Sequence, residues 1–161
     1  MFQLFKKKAS GKEISVYAVA EGPVTELEEV EDITFSEKLL GDGAAFLYEG
    51  DVLRAPCDGE VILVSATRHA IGIRAENGAE LLIHVGIDTV NLQGKYFTPE
   101  VKAGDKVKKG DLLLTFDLDA VKAAGYDTVI PVIVTNTDGF EKIELAKSGT
   151  GKVGDTFLQL A

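Results

Sequence analysis

Ala70-Ile71-Gly72-Ile73-Arg74-Ala75-Glu76-Asn77-Gly78-Ala79-Glu80-Leu81-Leu82-Ile83-His84 is the stretch on which the fold turns. Two apolar runs flank Glu76-Asn77-Gly78, residue types that favour tight turns. A strand, a turn and a return strand of matched length are implied. Side chains alternate across a strand, so Leu81, Ile83, Val85 and Ile87 form one apolar face that must be core. Leu82, His84, Gly86 and Asp88 take the other face. Outward along the chain the same grammar repeats. Gly-Asp and Asp-Gly pairs punctuate short segments rich in Val, Ile, Leu, Phe and Thr, at 59–66, 70–75, 79–87, 111–116, 128–135 and 156–160. Many short strands at short spacing predict an all-β antiparallel sandwich with one or two short helices. A helix is expected from Asp117 to Ala124, with Gly125 after it, and a second helical turn at Ser36–Leu40.

Two internal echoes are visible. Ala18–Val24 lines up with Ala55–Val61, and Val101-Lys102-Ala103-Gly104-Asp105 is followed by Val107-Lys108-Lys109-Gly110-Asp111. They read either as related halves of one sandwich or as chance in a turn-rich chain. Residues 1–13 are expected to be a flexible N-terminal tail, and residues 14–161 one folded domain.

Composition narrows the function. The chain has 161 residues, 45% hydrophobic and 27% charged, which fits an ordinary globular domain. It holds no run of apolar residues long enough for a membrane span. Its start, Met1-Phe2-Gln3-Leu4-Phe5-Lys6-Lys7-Lys8, has the opposite charge order to a secretory signal, so the cytoplasm is expected. The single cysteine, Cys57, excludes an intramolecular disulfide and reads as a small buried residue. A net charge of −9 argues against nucleic acid as a ligand and for a basic protein partner.

The chain has two histidines. On a straight strand Ser65, Thr67 and His69 share a face opposite Ile62, Val64 and Ala66, and the intervening hairpin brings His69 beside His84. Three readings compete. The pair could carry a phosphoryl group, one imidazole as nucleophile and the other as hydrogen-bond donor to the phosphoryl oxygens. With Asp88 it could ligate zinc, though structural zinc normally takes four protein ligands. Or the rings merely pair on a β surface.

His84-Val85-Gly86-Ile87-Asp88-Thr89-Val90, with Leu92-Gln93-Gly94 and the aromatic residues after it, resembles the phosphorylation-site motif of glucose-type IIA domains of the bacterial phosphoenolpyruvate:sugar phosphotransferase system. Thr67-Arg68-His69-Ala70-Ile71-Gly72-Ile73 is similar to that family's second-histidine motif, and Ala55–Gly59, Phe35–Gly43 and Pro131–Asn136 match as well. The resemblance implies the duplicated barrel-sandwich fold. It implies a phosphocarrier that takes a phosphoryl group from HPr and passes it to the IIB domain of a sugar permease, with other proteins as regulatory targets. His84 would be phosphorylated and His69 would stabilise the phosphoryl group. Thr67 would orient His69, and the backbone around Gly86 would orient His84. Asp32 and Asp88 would rim an apolar patch of Ile33, Phe35, Leu39, Leu40, Leu82 and Val90. No cofactor is expected and no metal is required, although in this family a metal sometimes bridges the two histidines and a partner carboxylate. The chain departs from the pattern at Lys95-Tyr96, where a second glycine usually precedes the aromatic, at Val19, where proline is usual, and at Ser65, where some members carry a bulky apolar residue.

Rival functions lack their residues. A biotinyl or lipoyl carrier presents a lysine at a hairpin tip, flanked in the biotinyl type by methionines, and the one methionine is Met1. A zinc peptidase on a similar scaffold needs a third histidine. A non-catalytic binding module predicts no chemical change at His84.

Overall fold

The computed structural model describes residues 14–17, 19, 22–47, 50–140, 143–145, 149–151 and 156–160; the tail expected over 1–13 and part of the first repeat copy lie outside the described residues. The strands are β1 (Ile14–Tyr17), β2 (Gly22–Glu26), β3 (Asp42–Phe46), β4 (Val52–Arg54), β5 (Gly59–Val64), β6 (Ala70–Ala75), β7 (Glu80–His84), β8 (Phe97–Pro99), β9 (Lys106–Val107), β10 (Leu112–Phe116), β11 (Ile130–Val134), β12 (Ile143–Leu145), β13 (Gly149–Gly151) and β14 (Thr156–Leu160). An eight-stranded sheet runs β9-β5-β6-β7-β11-β3-β2-β13, and two three-stranded sheets run β4-β10-β8 and β12-β14-β1. The ladders are antiparallel, as the hairpin stretch implies.

The β6–β7 hairpin sets the frame. Ala70 pairs with His84, Gly72 with Leu82 and Arg74 with Glu80. At its tip Gly78 takes φ +93°, and the Ala79 N–H donates to the Asn77 side-chain oxygen at 3.0 Å. Alternation then divides the sheet into two apolar layers. Leu81, Ile83, Val132, Val134, Ala44 and Phe46 face the main core, shared with Leu53, Leu113 and Leu114 of the smaller sheet. Their neighbours Ile133 and Ala45 face the other way into a second, smaller core with Leu27, Val30, Phe35, Ile87 and Val129, against which Leu82 packs. Residues 27–40 therefore lie across the outer face of the sheet.

Two α-helices are present among the described residues, besides three single 3-10 turns. The first, α1, spans Ile33–Ser36, earlier than the turn expected at Ser36–Leu40. Asp32 starts it, its carboxylate accepting the Thr34 N–H at 2.8 Å, and Lys38 at φ +58° blocks any extension. The second, α2, spans Leu118–Ala123, capped by Asp117 through the Ala120 N–H and ended by Gly125 at φ +95°. A bulge between Val61 and Leu63 also corrects the straight-strand reading of β5. Val61 is fully buried and Leu63 is exposed, so Ile62 and Val64 no longer share one face.

The shorter repeat is structural. In each copy an aspartate caps its own turn, Asp105 accepting the Lys102 N–H and Asp111 the Lys108 N–H. Each copy then docks on the same chain six residues apart. Gly104 N–H donates to Val61 O while Val61 N–H donates to Asp105 O, and Gly110 and Asp111 make the same pair with Ala55.

Candidate functional site

His84 is the last residue of β7, and its partner across the ladder is Ala70. His69, one residue before β6, therefore falls beside it. The ring centroids stand 4.6 Å apart with the planes at 83°, edge to face. The backbones are joined as well: the Val85 N–H donates to the His69 carbonyl at 2.8 Å. Two details differ from the face-by-face expectation. β5 ends at Val64, so Ser65–His69 is a turn with Arg68 at φ +66°, not a strand; His69 is buried and reaches the site because the chain folds back. Likewise β7 ends at His84, and Gly86 (φ +80°) and Asp88 (φ +60°) belong to a turn.

Each imidazole is held through Nδ1. His84 Nδ1 lies 2.7 Å from the Gly86 carbonyl oxygen. A carbonyl only accepts, so Nδ1 carries the proton and Nε2 keeps its lone pair. His69 Nδ1 lies 2.9 Å from the Thr67 hydroxyl and 3.5 Å from that of Ser65. A hydroxyl can donate to that nitrogen, which leaves the proton on His69 Nε2. The two neutral rings can thus present opposite functions, an acceptor lone pair and a donor N–H.

The surroundings keep them neutral. Burial, and secondarily the neighbouring His69, pushes the His84 pKa down to about 4, against weaker opposing contributions from Gly86, Asp32 and Asp88. Burial also lowers that of His69, partly offset by the Thr67 backbone. The Phe35 ring closes another side, 5.1 Å from His84 between centroids. At 4% exposure Phe35 lies beneath the surface rather than on the patch where the resemblance puts it. Leu82 is half-buried. Ile33, Leu39, Leu40 and Val90 are exposed, Ile33 by 65%. Leu63, which the straight-strand reading did not place, is exposed on the same sheet face, opposite Gly72 in the row that ends at Leu82. Asp32 serves as the α1 cap, and Asp88 is exposed. Cys57 is buried away from this chemistry, its thiol pushed up to about 12 chiefly by burial.

Among the described residues no three His, Cys, Asp or Glu side chains converge as a metal set. A cation between the two imidazoles would need a ligand from another molecule. Nor is any helix of the described residues long and apolar enough to cross a membrane.

A β-sandwich that presents two neutral imidazoles, one with a free lone pair and one with a free N–H, has the chemistry a phosphohistidine carrier requires. The family model of the phosphoenolpyruvate-dependent sugar phosphotransferase system, EIIA 1, matches residues 14–140, and the chain belongs to that family. It is 44% identical over 162 residues to the PTS system glucose-specific EIIA component of Halalkalibacterium halodurans, covering 98% of this chain and 94% of that one. It is 47% identical over 135 residues to the PTS system beta-glucoside-specific EIIBCA component of Dickeya chrysanthemi, where the match takes 84% of this chain and 21% of the longer protein. The solved glucose permease IIA from Mycoplasma capricolum superposes with a TM-score of 0.85 at 36% identity, over 93% of this chain and 97% of that one. The protein is a phosphotransferase component, a phosphocarrier of sugar uptake.

Proposed function

We propose that His84 carries the phosphoryl group and His69 steadies it, within a domain spanning residues 14–161. The observation that carries this reading is the Gly86 carbonyl 2.7 Å from His84 Nδ1, which leaves Nε2 unprotonated as the nucleophile. Nε2 attacks the phosphorus of a donor phosphohistidine, forming one P–N bond as the donor's P–N bond breaks; the electron pair leaves with the donor imidazole. His69 Nε2–H donates to a phosphoryl oxygen, where charge must be stabilised. In the second step an acceptor thiolate attacks the same phosphorus and His84 leaves as neutral imidazole.

The donor is HPr and the acceptor the cysteine of a IIB domain of a sugar permease, in the cytoplasm; regulatory proteins would share the surface. Fusion of matching segments to B and C components in relatives named EIIBCA supports the IIB assignment. Both partners must use one face, because there is one nucleophile. Ile33, Leu39, Leu40 and Val90 would supply tolerant apolar contact, and Asp32 and Asp88 would select basic partners.

Intact-mass analysis after incubation with phosphoenolpyruvate, enzyme I and HPr tests this. His84→Ala should gain no acid-labile phosphoryl group. His69→Gln should still be phosphorylated but transfer onward slowly, since an amide donates a hydrogen bond yet cannot share a proton. An acid-labile phosphoryl group on His84→Ala would overturn the assignment.

A further inference from the structure

Thr89 is fully buried, among the few polar side chains so placed among the described residues. On packing grounds alone such a position would take valine. Instead its hydroxyl donates to the Val85 carbonyl at 2.5 Å. Val85 is the residue that ties the two histidines, its N–H donating to the His69 carbonyl. The same Thr89 side chain is wrapped against Gly86, so that a Cβ built there would stand 2.5 Å from the Thr89 methyl and 2.9 Å from the Asp127 carbonyl. From the far side the turn is held by Gly86 N–H to Val129 O and Ile87 N–H to Asp127 O. The Gly86 peptide is thus clamped between Thr89 and the 127–129 segment, in a left-handed conformation that this crowding reserves for glycine.

We infer that Thr89 is a positioning residue for phosphoryl transfer: through Val85 and Gly86 it fixes the carbonyl that keeps the proton on His84 Nδ1 and the lone pair on Nε2. The inference rests on the reading of His84 as the phosphorylated residue. The hydroxyl supplies the tether and the methyl supplies the wall. Valine keeps the shape and removes the tether; serine keeps the tether.

The test uses the whole chain. In nitrogen-15 spectra of the unphosphorylated protein at neutral pH, wild type and Thr89→Ser should show His84 as the Nδ1–H tautomer, and Thr89→Val a mixture. With phospho-HPr as substrate, Thr89→Val should lose about tenfold in kcat at a nearly unchanged KM, while Thr89→Ser stays near wild type. Wild-type tautomer and rate in Thr89→Val, whatever its melting temperature, would overturn the inference. If that variant does not fold, the wild-type Thr89 hydroxyl proton decides: slow exchange supports the tether and fast exchange overturns it. Failure of wild type to gain a phosphoryl group on His84 would sink the functional reading instead, and the spectra would still judge the tether.

Discussion

At the scale of the residue, a histidine becomes a reliable nucleophile when its proton is assigned to one nitrogen and kept from the other. His84 has both conditions, from the Gly86 carbonyl on Nδ1 and from burial beside Phe35 and His69. Its pKa, lowered from 6.5 to about 4, has two consequences. Phosphoryl acceptance should hold level from neutral pH through 6.5 and fall only towards about 4, as measured by initial rates against pH with the donor held phosphorylated. The unfolded chain binds a proton at 6.5 where the folded chain does not, so stability should rise with pH between about 4 and 6.5 and gain nothing from this group above that. Denaturant titrations of wild type and His84→Gln at several pH values would show the slope in one and its reduction in the other. Of this chemistry, the nearness of His69 and His84 was legible, because hairpin length fixes it. The Gly86 backbone contact was implied by the family resemblance but not by strand alternation, and the Thr89 tether by neither, because alternation ends where β7 ends and a turn takes over. Phe35 was legible as apolar, but not as the wall behind His84.

At the scale of the element, the segment over the outer sheet face is packed down through Leu27, Val30 and Phe35 and pinned at its surface by a cation. Lys38 Nζ lies 3.3 Å from both Glu28 and Asp42, joining the start of that segment to the start of β3. The three side chains are partly exposed, so Lys38→Met should cost under about 1 kcal/mol of stability by denaturant titration. It should nevertheless raise the KM for phospho-HPr at unchanged kcat, because Ile33, Leu39 and Leu40 ride on the fastened segment. Beneath it β3 and β11 approach closely. A Cβ at Gly43 would stand 2.0 Å from the Val132 carbonyl oxygen, a backbone atom that cannot swing aside. Gly43→Ala should cost about 2–3 kcal/mol, read from the shift in denaturation midpoint. Six of the fourteen strands lie in the apolar runs named from the sequence, Ala70–Ala75 and Thr156–Leu160 to the residue; the others, among them two- and three-residue strands such as β4 and β9, are too short to show a period. The bulge in β5 and the early start of α1 were not: one depends on register with β6, the other on whether Asp32 or Ser36 captures a free N–H.

At the scale of the whole molecule, a net charge of −9 is borne by a protein whose proposed working face is apolar with carboxylates at its edge. Long-range attraction should therefore govern encounter with basic carriers and weaken as salt shortens its reach. The Asp88 side chain is exposed and makes no capping hydrogen bond, so Asp88→Lys should leave the melting temperature nearly unchanged. Stopped-flow association with HPr should become slower and lose much of its ionic-strength dependence. An unchanged salt slope would remove Asp88 from the encounter.

The twin turns at 102–105 and 108–111 carry a liability of a different kind. Each offers the same aspartate-capped corner, and the two docking points, Ala55 and Val61, are also six residues apart. Seating the second corner on the first berth would keep the paired backbone bonds but lose two that mark its own berth, Arg54 Nη1 to the Gly110 carbonyl and the Lys109 N–H to Asp58. It would also set Leu113 in the interior place of Val107. If the echo lets the chain mis-seat by six residues, a double-jump refolding experiment should show a slow minor phase that Asp105→Ala reduces; a single phase in both would mean the two berths are told apart from the start.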